Sequence, residues 1–234
     1  MWVYVDVLCV LIRVLCYYLF VYIGLTFNSN FQLFQYSRQI YMVKNIVKSI
    51  LLAYISLYST IDFITFVKNN HFDMAVINYY ASLYVANDIL ALLLVPDLPK
   101  TTEIHHKITS FLLLYTLNVD FNDIQNVGKL LFIYTILSSY TFLVNMYLGI
   151  RFLENKSSQI HINTIIEYNR ISAYYIYLVC CCINWSIHIS MYIYRIYNHI
   201  FNIHYFIYGI LLFFIIKDDL ILMSWLKNKS IKQD

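Results

Sequence analysis

The chain has 234 residues, 61% of them hydrophobic and 12% charged, with a formal net charge of +3. Soluble domains carry roughly 45–50% apolar and about 25% charged residues, so one soluble core of this size cannot hide the excess and lipid is the expected solvent. The small charge argues against a nucleic-acid partner, and 4 Gly with 2 Pro leave too little turn chemistry for a many-stranded membrane barrel.

Seven apolar stretches approach or exceed the roughly 17–25 residues that cross about 30 Å of hydrocarbon. They fall at about 3–26, 47–67, 74–95, 102–121, 129–150, 171–194 and 200–216. The expected fold class is therefore all-α, a multi-pass transmembrane helical bundle of about seven spans. The first stretch reads as a span rather than a cleavable signal, because it lacks a basic n-region and a small-residue cleavage site. The gaps at 27–46 and 151–170 are the longest, and neither holds a soluble domain. The expected organisation is a first transmembrane helix and cytosolic loop over 1–45, a transmembrane domain over 46–226 and a cytosolic tail over 227–234. In the last stretch Lys217-Asp218-Asp219 interrupts the apolar run. A charge at mid-membrane costs about 2.5–3.5 kcal/mol on insertion scales, so the last span is expected to end near Lys217. The 24 Tyr and 16 Phe suit the two membrane interfaces.

Lys and Arg in the gaps set the orientation. One side receives Arg38, Lys44, Lys48, Lys100, Lys107, Arg151, Lys156, Arg170, Lys217, Lys227, Lys229 and Lys232; the other receives Lys68, Lys129 and Arg195. The basic side is expected in the cytosol, with the N-terminus lumenal or outside and the C-terminus cytosolic. The sequons at Asn155 and Asn228 then face the cytosol and are expected to stay unmodified.

The five Cys, at 9, 16 and 180–182, lie in apolar stretches with no CxxC spacing, which reads as packing rather than a disulfide or zinc framework. No metal or cofactor is expected. The seven His form none of the paired boxes of membrane di-iron oxygenases, and Lys107 rather than Cys follows the His105-His106 pair, against a protein palmitoyltransferase. Ionisable residues inside spans are candidates for function. Asp6 and Arg13 share a helix face about 10 Å apart and can pair with each other or with Asp62. His188, mid-span, reads as a neutral histidine bonded to a neighbouring helix.

The most informative constellation is Asp88 with His105 and His106, the candidate catalytic residues. Asp88 lies about seven residues, or ~10 Å, before the third span's end at the Pro96-Asp97-Leu98-Pro99 turn. His105 lies about four residues, or ~6 Å, inside the fourth, so Asp88 can reach one imidazole if the helices are neighbours. A carboxylate beside a histidine fixes its tautomer and raises its basicity, as a general base requires. Adjacent histidines point about 100° apart on a helix, so one is expected to do chemistry while the other orients or packs.

At these residues the chain resembles the TLC-domain family, the membrane family of ceramide synthases and translocation-associated TRAM proteins, over about Ile46 to Trp225. The resemblance rests on the aromatic-rich stretch Tyr84 to Asp88, the pair His105-His106 with Thr109, the stretch Ser138-Ser139-Tyr140-Thr141-Phe142-Leu143-Val144-Asn145, and Trp225. It departs from the synthases at 131–138, where their H-D-x-x-D motif is expected and no acid or histidine occurs, so the chain looks closer to the non-synthase branch. The family implies a TLC-like helical barrel around a lipid-sized cavity and an endoplasmic-reticulum location. It also implies a membrane lipid as partner, its acyl chain held between helices with the polar site near the cytosolic face. The alternative is a ceramide-synthase-like acyltransferase that uses the His pair and acyl-CoA, with Lys100 and Lys107 attracting the phosphates. A receptor or transporter is the third reading, against which stand the absence of D-R-Y and N-P-x-x-Y motifs and of Gly- or Pro-broken helices at mid-membrane.

Overall fold

The computed structural model describes residues 2–69, 71–123, 127–153 and 160–228, with the side chains of 2–5 and 160–162 left out. The sequon at Asn155, and all of the one at Asn228 except Asn228 itself, lie outside these residues, as do Lys156, Lys229 and Lys232. The described chain is all helical: α1 (Trp2–Thr26), the short α2 (Ser29–Gln32), α3 (Tyr36–Asn69), α4 (Met74–Leu94), α5 (Lys100–Thr116), α6 (Gly128–Ser139), α7 (Phe142–Ile150), α8 (Ile160–Tyr197) and α9 (Ile203–Asn228).

Local chemistry sets several boundaries. Asp73 caps α4, its side chain accepting from Ala75 N and Val76 N. Pro96 offers no N–H and pushes Val95 into extended backbone, which ends α4. Asp97 then turns the chain at φ 59°, a left-handed conformation that Asp tolerates better than most residues. Between α6 and α7 the axis bends by 46°. There Ser139 Oγ donates to Ile136 O and Thr141 Oγ1 to Ser138 O, the back-bonding that bends helices.

Each of the seven apolar stretches lies on helix, with α6 and α7 sharing one. Four helices are long and apolar enough to cross a membrane, α1, α3, α4 and α8, and the bent α6–α7 pair makes a fifth. The other two fall short for different reasons: α5 is 17 residues long and carries Lys100, Glu103 and Lys107, and α9 carries Lys217, Asp218 and Asp219 at its middle. The expected end of the last span near Lys217 is corrected. The segment 203–228 contains no proline, and α9 runs unbroken to Asn228 because its acidic residues turn into the bundle. Helix α3 runs unbroken from Tyr36 to Asn69, through residues 45 and 46.

The distribution of polarity is inverted relative to a soluble protein. Lys44, Asn45, Lys48, Asn87, Asp88, His106, His188 and Asp219 are buried, while Ile12, Phe20, Leu57, Ile61, Leu93, Phe111, Ile193 and Phe213 are exposed. Such apolar, outward-facing helices are compatible with an integral membrane protein. Packing closes a ring in the order α3, α4, α5, α9, α8, α7 and back to α3, and α1 packs outside it against α3 and α4. The α3–α7 contact is close because a Cβ on Gly149 would come within 2.6 Å of Ile46 Cγ1 and 3.2 Å of Met42 O.

Candidate functional site

The ring encloses a cavity of about 120 Å³, to which all six of its members contribute. On α3, Lys44 and Lys48 are one turn apart and share the inward face. Lys48 Nζ donates to Asp88 Oδ1 of α4 at 2.9 Å and to Tyr84 O at 2.6 Å, and lies 4.1 Å from the centre of the Tyr84 ring. Asp88 Oδ2 accepts from Thr109 Oγ1 of α5 at 3.0 Å. His106 Nδ1 stands 3.3 Å from Asp88 Oδ1, off the hydrogen-bond direction, and His106 Nε2 is buried with no hydrogen-bond partner among the described residues.

The Asp88–imidazole contact expected from the depths of the two residues is thus present, and it falls to His106. His105 turns the other way, its Nδ1 3.2 Å from Asp218 Oδ2 of α9. The two rings lie 5.8 Å apart at 89° and both line the cavity, which corrects the expectation that only one could face a single site. The premise of divergent side chains holds. The conclusion fails because α5 sits between α4 and α9, so each imidazole finds a carboxylate on its own flank. Lys107 points outward and pairs with the exposed Glu103.

On the far wall Asp219 Oδ1 accepts from Tyr177 OH of α8 at 2.7 Å, and both are buried. Cys180 and Cys181 also line the cavity, so the cysteine run is not remote from the His pair as its position in sequence suggests. Ser138, Thr141 and Asn145 reach the cavity at the α6–α7 bend, and Trp225 reaches it from α9. The stretch 131–138 supplies no carboxylate; α9 supplies two.

Sequence reasoning missed Lys44 and Lys48, taken there as membrane-flanking charges, and Asp218 and Asp219, taken as a helix stop. A signal was present in both cases: 36–69 has no Gly or Pro to end a helix, and 203–228 has only Gly209. Elsewhere, Asp62 is occupied by Tyr80 OH. Asp6 and Arg13 line a groove with Asn78 and Ser82, without an ion pair between them among the described residues. His188 is bonded as expected of a structural histidine, through Nδ1 to Asn184 O at 2.8 Å and through Nε2 to Tyr208 OH of α9 at 2.9 Å.

The fold and site define a class: an all-helical protein with an apolar exterior and an ionised, histidine-bearing cavity within its helical ring. Comparison with known proteins finds no matching family model, no matching curated protein and no matching solved structure.

Proposed function

We propose that the chain is a seven-span, TLC-like membrane protein of the endoplasmic reticulum whose cavity holds the polar head of a membrane lipid. One observation carries this reading. The residues on which the family resemblance rests are scattered from 84 to 225, yet Tyr84, Asp88, His105, His106, Ser138, Thr141, Asn145 and Trp225 line one cavity. Charged groups in a membrane interior are expensive, and they are kept where they meet a ligand, water or each other.

The cavity is smaller than the ~150 Å³ space that binds benzene in another protein, which suits a headgroup and not an acyl chain. The chain of the lipid therefore lies outside it. An apolar groove of about 430 Å³ on α8 and α9, lined by Tyr192, Phe201, Phe206, Gly209, Ile210 and Phe213, has suitable volume and lining. With α5 and α9 counted as spans, the N-terminus is lumenal and the C-terminus cytosolic. Leaving out the buried Lys44 and Lys48 on the cytosolic side and the buried Arg195 on the other leaves ten basic residues against two, which supports that orientation.

A second reading, an acyltransferase, is favoured by His106. Its Nδ1 faces the Asp88 carboxylate at 3.3 Å, and its Nε2, buried with no hydrogen-bond partner among the described residues, can take a proton or an acyl group. The test is to express wild type and the double variant His105→Ala/His106→Ala in cells lacking ceramide synthases and compare total lipids at equal membrane insertion. A lipid pool raised by wild type and not by the variant supports the lipid reading, and a new acylated species among them supports acyl transfer. Profiles matching the empty vector for both proteins would overturn turnover of a lipid.

A further inference from the structure

The charges in the cavity do not all pair. Lys48 is matched by Asp88, and His105 by Asp218. Two groups are left over, one of each sign. Lys44 is buried; among the described residues its Nζ has Asn45 Oδ1 at 3.4 Å and the Tyr41 ring at 6.0 Å, and it feels Asp88 and Asp218 across the cavity without an ion-pair contact to either. Asp219 is buried and takes a hydrogen bond from Tyr177, with no cation within ion-pair distance among the described residues. Both line the same cavity, Lys44 from α3 and Asp219 from α9, which stand across the ring from each other.

Resting on the lipid reading above, we infer that the site is built for a zwitterionic head that carries a primary ammonium and a phosphate or carboxylate. The ammonium donates to Asp219, which takes the Tyr177 bond and has the Trp185 indole N–H as its other nearby donor. The anion lies against Lys44. Such a ligand gives both groups a partner at ion-pair distance at once, whereas an anion alone leaves Asp219 without one and an amine alone leaves Lys44 without one. A primary ammonium is favoured over a quaternary one because it can hydrogen-bond to the carboxylate. With His105 and Asp218 counted as an ion pair, the three cations and three carboxylates of the cavity cancel, so a neutral zwitterion also preserves the balance.

The test measures binding to the full chain purified in detergent, using dioctanoyl phosphatidylethanolamine, dioctanoyl phosphatidylglycerol, sphingosine and free phosphoethanolamine. Phosphatidylethanolamine is expected to bind at least tenfold more tightly than the anion-only or the amine-only lipid. Asp219→Asn should erase its advantage over phosphatidylglycerol, and Lys44→Gln its advantage over sphingosine. Free phosphoethanolamine competing at similar concentration would support the zwitterion site and identify a soluble source; failure to compete would support it and identify the lipid. Phosphatidylglycerol or sphingosine binding as tightly as phosphatidylethanolamine to wild type overturns the inference and leaves the lipid reading standing. Binding of none of the three lipids overturns both. The wild-type panel decides the matter even if a variant fails to fold.

Discussion

Asp88 has three neighbours with three different jobs. Lys48 compensates its charge, Thr109 satisfies its second oxygen, and His106 brings its imidazole to 3.3 Å. Because the Lys48–Asp88 pair is buried, removing one partner leaves the other charge uncompensated, at a cost of about 3–5 kcal/mol. Asp88→Asn is expected to lower the thermal midpoint of the detergent-solubilised protein markedly, and the double change Asp88→Leu/Lys48→Met to recover most of the loss. A loss in the double variant equal to the sum of the losses of Asp88→Leu and Lys48→Met measured singly would show that the pair contributes no coupling. At Asp219 the effect is smaller: Asp219→Ala leaves the Tyr177 hydroxyl buried without an acceptor, for about 1–3 kcal/mol. Tyr177→Phe/Asp219→Ala should then be no less stable than Asp219→Ala alone.

Among the elements, α3 and α9 depart furthest from what the residues suggest singly. Lys44 and Lys48 look like the basic flank of a span starting near 47, and Lys217-Asp218-Asp219 looks like a stop. Both readings treat a charge as belonging in water. They miss that a helix face can bring charges of opposite sign from different segments together, and which segments meet depends on the order of helices around the ring. The element types themselves are legible, since apolar runs of membrane length have no other stable backbone than helix. The Asp88–His106 contact is legible for the same reason: the four-residue turn 96–99 forces α4 and α5 to be neighbours. The Asp218–His105 contact is not, because more than a hundred residues separate its partners. Packing between α3 and α7 rests on Gly149. Gly149→Ala places a methyl against Ile46 and the backbone carbonyl of Met42, and overpacking of this kind typically costs about 1–3 kcal/mol. Gly24→Ala, where a Cβ meets nothing within 4 Å, is the control expected to be neutral in the same melting assay.

For the molecule as a whole, the number of crossings follows from whether α5 and α9 span. α5 carries three charged residues and α9 four. On α5 Lys107 pairs with Glu103 at an exposed end, and on α9 Asp218 and Asp219 face the ring and not lipid. With seven crossings, the loops on either side of α5 lie on opposite faces of the membrane. A cysteine at Leu98 is expected to react with a membrane-impermeant thiol reagent from the cytosolic side only, and one at Asp120 from the lumenal side only. Reaction of both from the same side would mean that α5 does not cross.

The central claim is that the ring interior, and not its outer face, holds a lipid by its head. It is tested most directly by placing a photoreactive amino acid at Leu222, which lines the cavity, and at Leu57, which is exposed on the outside of α3. After illumination in cells, mass spectrometry of the purified protein should show a discrete lipid adduct at 222 that disappears in the His105→Ala/His106→Ala background. The mixed adducts at 57 should persist. No adduct at 222, or one that survives loss of both histidines and resembles the mixture at 57, would contradict the account.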